Sequence, residues 1–168
     1  MKKILSVVLA LTMLLSFASC FGSEKATEGE SKKFTAEGMT ITLTDSFKKT
    51  EQEGYTVCYS AKDVLVVALK EEFTLQEGFE NLSIIEYADL VYANNASKNP
   101  SDITSEDGLT IMEYTFFNEE YDQTYEYLSV MYKSSDAFWL VQFSCVEDDY
   151  DDNRDSFIKW AKSVEFAD

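Results

Sequence analysis

The chain has 168 residues, 45% of them hydrophobic, with one proline and a net charge of −17 from 31 acidic and 14 basic residues. That is the composition of one globular domain and excludes collagen-like, disordered and multispan membrane chains. No histidine is present, which removes Ser-His-Asp and Cys-His nucleophiles and imidazole-ligated zinc, while the acid excess argues against nucleic acid and against direct adhesion to anionic lipid headgroups.

The chain opens with Lys2 and Lys3, followed by an apolar run from Ile4 to Ala18. At about 15 residues the run suits the core of an export signal and is short for a bilayer span. Ala18-Ser19-Cys20 follows. This resembles the lipobox of bacterial lipoproteins, with Phe17 where leucine is usual and Leu14 and Leu15 just upstream. The resemblance implies that residues 1–19 are a removable signal peptide and that the Cys20 thiol carries diacylglycerol. Such chains, palmitate among them, bury about 0.8 kcal/mol per CH₂ and hold a protein stably when two or more are present. The expected location is extracytoplasmic, on a bacterial membrane. The alternative is an ordinary cleaved signal with an incidental cysteine. Cleavage removes two lysines and leaves 12 basic against 31 acidic residues, net −19. Residues 20–33 are small and charged without apolar periodicity and are expected to form a flexible tether. Residues 34–168 are expected to form a single globular domain.

Met39, Ile41 and Leu43 alternate with Thr40, Thr42 and Thr44, which predicts a half-buried strand, and Asp45 to Lys48 is expected to turn out of it. Tyr55–Ser60 and Val64–Leu69 read as a hairpin, the second strand apolar throughout and so covered on both faces. Ser83-Ile84-Ile85-Glu86 is a capping box, with Leu82 and Tyr87 placed for a hydrophobic staple. The helix it opens is expected to run to about Ala96, with Ile84, Ala88, Val91 and Tyr92 on its buried side. Leu109–Phe117, Thr124–Lys133 and Phe138–Cys145 read as three antiparallel strands joined by short turns. A last helix is expected over Asp149–Ser163, with acids at its start and Lys159 and Lys162 near its end. Val164–Phe166 could return as a short edge strand. The order predicts an α+β fold, an antiparallel sheet of about six or seven strands flanked by helices.

Two runs carry a family resemblance. One is Gly38-Met39-Thr40-Ile41-Thr42-Leu43-Thr44-Asp45-Ser46-Phe47. The other is Phe138-Trp139-Leu140-Val141-Gln142-Phe143, followed by Tyr150 and by Phe157-Ile158-Lys159-Trp160-Ala161-Lys162-Ser163-Val164. The layout resembles the PsbP-like fold of the Mog, PsbP and DcrB-type proteins, and implies an α/β/α sandwich over nearly all of 34–168. The matching patterns are packing patterns, and the fold serves unrelated roles, so the resemblance transfers no site residue.

Cys58 and Cys145 remain after lipidation, both in predicted strands. In an exported protein they could form one disulfide; otherwise they are buried small hydrophobes. The run from Glu147 to Asp155 is densely acidic. Asp149, Asp151 and Asn153 fit the first positions of an EF-hand, but Arg154 stands where glycine is needed and Trp160 where the bidentate Glu is needed. A looser cation site at Asp148, Asp149, Asp151 and Asp152 remains beside the plainer reading of a solvated helix start. Ser46 and Ser156 begin S-x-x-K matches without companion motifs. Glu119, Glu120 and Asp122 sit together in a loop, as a charged tip or as paired carboxylates. Tyr114, Tyr121, Tyr125, Tyr127 and Tyr132 concentrate in one hairpin. They read as cross-strand packing or, on any side left uncovered, as a ligand surface centred on Tyr114, Tyr125, Tyr127 and Tyr132. No pattern calls for a cofactor.

The function expected from these features is a lipid-anchored, non-enzymatic binding or accessory protein of the cell envelope. Its membrane contact is the acyl anchor on Cys20, and its partner is an envelope protein or small ligand, not nucleic acid. An envelope enzyme using carboxylates and tyrosines, or a purely structural envelope protein, are the alternatives.

Overall fold

The computed structural model describes residues 25–167. Its strands are β1 (Ser31–Ala36), β2 (Met39–Thr44), β3 (Lys48–Thr50), β4 (Val57–Ser60), β5 (Leu65–Glu72), β6 (Thr104–Glu106), β7 (Leu109–Asn118), β8 (Gln123–Lys133), β9 (Ala137–Val146) and β10 (Glu165–Phe166). The helices are α1 (Ile84–Asn94) and α2 (Tyr150–Ala161). A seven-stranded antiparallel sheet runs β3-β4-β5-β9-β8-β7-β6, and a three-stranded one runs β1-β2-β10.

The large sheet is buried on both faces, which explains the unbroken apolar run of β9. One face carries Val66, Ala68, Leu128, Val130, Trp139, Val141 and Phe143, and packs under α2 and the small sheet. Phe157 of α2 lies on Phe143, with ring centroids 5.6 Å apart, and Trp160 meets Phe47 edge-on at 5.2 Å. Burying Phe157 contributes about 1.5–3 kcal/mol. The other face carries Val67, Met112, Tyr114, Tyr127, Met131, Phe138 and Leu140, and packs under α1.

The capping box forms as expected. Glu86 N donates to Ser83 Oγ at 3.2 Å, and Ser83 N donates to Glu86 Oε2 at 2.8 Å. Tyr87, placed for a hydrophobic staple with Leu82, is fully buried and stacks on Phe138, with centroids 4.3 Å apart.

Three features differ from expectation. Met39–Thr44 belongs to a separate small sheet and not to the main one. Lys48 begins strand β3 and does not end a turn. Residues up to 33 are not simply a tether, because β1 begins at Ser31 and Ala26 is wholly buried in the α2-side core. A two-residue hairpin at Glu37-Gly38, with φ of 52° and 89°, folds β1 back on β2. Positive φ at both positions matches the right-handed twist of the strands it joins, and glycine takes it without strain.

Candidate functional site

The registers give the molecule two ends. Leu65 begins β5 beside the Ala61–Val64 turn, and Glu72 ends it beside Ala137 and the β8–β9 turn. Eight residues of strand separate these ends by about 25 Å. At the first end, Ala26 N donates to Asp63 Oδ1 at 2.9 Å, and Ala26 O accepts from Thr44 Oγ1 at 2.7 Å. Glu30 N donates to Asp45 Oδ1 at 3.0 Å. Two carboxylates thus hold backbone N–H groups of the segment that follows Cys20. Cys20 itself lies outside the described residues, as does the signal peptide.

The two thiols are free and buried. Cys58 belongs to the α1-side core and Cys145 to the α2-side core, so the disulfide weighed from the sequence is not formed. The sheet lies between the two sulfurs, beyond the reach of a disulfide. Burial raises both thiol pKa values, and that of Cys145 is pushed up to about 12 by burial first and then by Asp149, Asp63 and Glu126.

The tyrosines considered as a ligand surface turn out to be packing groups. Tyr114, Tyr125 and Tyr127 are buried, and the rings of Tyr114 and Tyr127 stack at 4.7 Å. Tyr132, on the opposite face, is half-buried and donates to Ala161 O at 2.8 Å. Both sheet faces are covered, so alternate tyrosines of β8 find a core on either side. Beneath the stack, Gln142 Nε2 donates to Tyr114 Oη and Ser129 Oγ, each at 2.9 Å. Lys98 Nζ lies 4.6 Å from the Tyr114 ring centroid, and desolvation lowers its pKa. Tyr127 Oη and Ser60 Oγ are buried without hydrogen-bond partners.

The acidic run behaves as a solvated helix start. Glu147, Asp148, Asp149, Asp151 and Asp152 are exposed around the N-terminus of α2, where the helix dipole favours negative charge. Among the described residues no group of three metal-ligating side chains is arranged to hold an ion. Arg154, which broke the EF-hand pattern, has a structural task. Its Nε donates to Glu113 Oε1 and its Nη2 to Glu106 Oε2, both at 2.8 Å, and Tyr150 Oη donates to the same Glu113 oxygen at 2.8 Å. The Arg154 hydrogen bond holds the Glu106 carboxyl below its usual range. On the other face Tyr87 Oη donates to Glu71 Oε2 at 2.6 Å, and burial raises the pKa of Glu71.

A groove of about 270 Å³ lies at the far end of the molecule from Ala26. Trp139, Phe166, Lys70, Asp136 and Glu37 line it. Phe166 tilts on Trp139, with centroids 5.2 Å apart, and Lys70 Nζ donates to Asp136 Oδ2 at 2.7 Å. That hydrogen bond raises the pKa of Lys70. Sequence reasoning missed this groove because its walls come from four separated segments. The docking of Ala26 was equally hidden, since a lone alanine among charged residues carries no pattern.

No family model and no curated protein matches the sequence. Among solved structures the chain is similar to cyanobacterial PsbP (CyanoP) from Synechocystis sp. PCC 6803. That likeness has 12% identity, 90% of this chain and 99% of that one covered, and a TM-score of 0.54. A protein of Bacteroides thetaiotaomicron VPI-5482 is similar at 8% identity and a TM-score of 0.51, over 83% of this chain and 49% of that chain. Identities this low speak for fold alone. The α+β architecture, with its seven-stranded antiparallel sheet, three-stranded sheet and two helices, matches the PsbP-like fold that the two sequence runs implied.

Proposed function

We propose that the chain is a lipid-anchored, non-enzymatic binding or accessory protein of the bacterial cell envelope, held at the membrane by acyl chains on Cys20 with its PsbP-like domain outside the cytoplasm. The observation that carries this reading is the leader: Lys2-Lys3, the apolar run from Ile4, and Ala18-Ser19 before Cys20. The domain's own start supports it. Ala26 is already part of the core six positions after Cys20, so the fold begins where a mature lipoprotein would begin. The non-enzymatic element rests on the lack of histidine and on where three of the perturbed carboxylates go. Glu71, Glu86 and Glu106 lie apart, and each is bonded within the fold, to Tyr87, Ser83 and Arg154 respectively. Any small ligand would be met by the groove at Trp139 and Lys70, which offers an aromatic floor between charges of both signs.

Metabolic labelling with an alkyne fatty acid tests the anchor. The wild-type chain is expected to take up the label in the membrane fraction, and Cys20→Ser to lose it. An unlabelled wild-type chain recovered from the cytosol would overturn the reading, as would label retained by Cys20→Ser.

A further inference from the structure

We propose that the groove between the β8–β9 turn and the β1–β2 hairpin is a binding site for a neutral carbohydrate. A single sugar ring would rest on Phe166, with its hydroxyls shared among Lys70, Glu37 and the indole N–H of Trp139. The inference rests on the reading of this groove as the ligand site and adds the class of ligand.

The first argument is an unpaired donor. Trp139 lines the groove and is 1% exposed. Among the described residues, its Nε1–H is buried without a hydrogen-bond partner. Buried N–H groups nearly always find an acceptor, and one left alone carries its full desolvation penalty. A ligand oxygen that reaches Nε1 removes that penalty, so the site calls for a molecule that carries acceptors.

The second is charge. Lys70 Nζ donates to Asp136 Oδ2 at 2.7 Å, lies 3.9 Å from Glu72, and sits 5.7 Å from the Trp139 ring centroid. Glu37 stands on the facing hairpin. One cation is thus set among three carboxylates. A ligand carboxylate or phosphate would compete with Asp136 for Lys70 and meet a surplus of negative charge. A ligand ammonium has no lone pair for Nε1–H, and Lys70 already lies over the Trp139 ring. A hydroxyl has neither fault, since it donates to Glu37 and accepts from Lys70 or Trp139.

The third is shape. The cavity of about 270 Å³ falls below the roughly 300–1,000 Å³ of sites for drug-sized ligands, which suits one small ring. Phe166 is half-buried and tilts on Trp139 with centroids 5.2 Å apart. The C–H face of a sugar ring is apolar and packs on such an aromatic face while its hydroxyls point outward to polar partners. The walls are tied in place without a ligand. Ala167 N donates to Gly38 O and Ser134 Oγ to Asp136 Oδ1, each at 2.8 Å. A site formed beforehand spares the ligand the cost of ordering it.

The test uses the full chain, labelled with nitrogen-15, in micelles of a sugar-free detergent. It is titrated with the methyl glycosides of glucose, galactose, mannose and xylose, and with glycine and methyl phosphate as zwitterionic and anionic probes. The two tryptophans give two indole N–H resonances, assigned through their backbones. At least one glycoside is expected to move the Trp139 resonance in a saturable way. Trp160, which packs on Phe47 and Phe143 in the α2-side core, should stay in place. Glu37→Gln and Lys70→Met should each weaken the apparent affinity about tenfold or more, as expected for hydrogen bonds to charged groups. Glycoside shifts that survive both substitutions unchanged overturn the inference. A Trp139 resonance moved by glycine or methyl phosphate, and by no glycoside, overturns the carbohydrate assignment and leaves the groove as the ligand site. One moved by no probe overturns both.

Discussion

Asp63 Oδ1 accepts the backbone N–H of Ala26 at 2.9 Å, which ties the residues just after Cys20 to the turn between β4 and β5. Asp63→Ala leaves that N–H without its acceptor against a packed core, a loss of about 1–3 kcal/mol. Urea unfolding should show a lower midpoint. Limited proteolysis should show new cleavage between Lys25 and Ser31 while β2 onward stays protected. An unchanged midpoint together with an unchanged digest would show that the segment is held by other means.

Glu71 predicts an unusual pH response. Its pKa is raised in the folded state by burial, so the penalty for its charge is absent below the unfolded carboxylate pKa and grows as pH rises through the folded value. Glu71→Gln keeps an acceptor for Tyr87 Oη and cannot ionise. It should be more stable than wild type at neutral pH, with the gap closing as pH falls toward that of a free carboxylate. Denaturation curves across that range decide the matter, and a gap that widens on acidification contradicts the assignment. Tyr87→Phe, which strips a buried carboxylate of its donor, should cost about 1–3 kcal/mol at neutral pH.

Arg154→Ala leaves Glu106 and Glu113 facing each other without their cation, in surroundings that are only partly exposed. A loss of about 1–2 kcal/mol is expected, more than for an open surface pair. The Glu106 carboxyl pKa is depressed in the folded state, so this contribution is present above the unfolded pKa and is lost as pH falls through the folded one. Wild type and Arg154→Ala should therefore converge in stability under acid. Parallel curves at all pH values would count against the pairing.

The thiols give a simple chemical check. Cys58 and Cys145 are buried on opposite faces of the sheet with raised pKa values, so an aromatic disulfide reagent should find neither in the native protein and both in denaturant. Adding a reductant should not move the melting temperature. One fast native thiol, or a reductant-sensitive melt, would be inconsistent with this arrangement.

Strong periodicity made most of the fold legible. The alternation of Met39, Ile41 and Leu43, the apolar run of β9 and the Ser83–Glu86 box each named an element that the structure contains. β1 and β6 went unseen because their residues are mostly polar and exposed, as edge strands tend to be. The signals present were Glu37-Gly38 and Asp107-Gly108, each with positive φ at both positions and a strand on either side. The tyrosines of β7 and β8 misled for a different reason. Periodicity assigns side chains to two faces, but only tertiary packing decides whether a face is covered, and here α1 covers one and α2 with the small sheet covers the other. The groove at Trp139 was illegible because its walls come from two turns and from strands β5, β9 and β10, which local sequence does not bring together.

The sheet margins bear on life in a crowd. β3 and β6 are three residues each, β10 is two, and Lys32, Lys33, Lys48 and Lys49 stud the outer rows of β1 and β3. Copies gathered in two dimensions on one surface would meet side by side at high local density, where an open β-margin invites zippering into fibres. Margins that are brief or studded with charge deny neighbouring copies a template, so such a layer would remain a population of separate molecules.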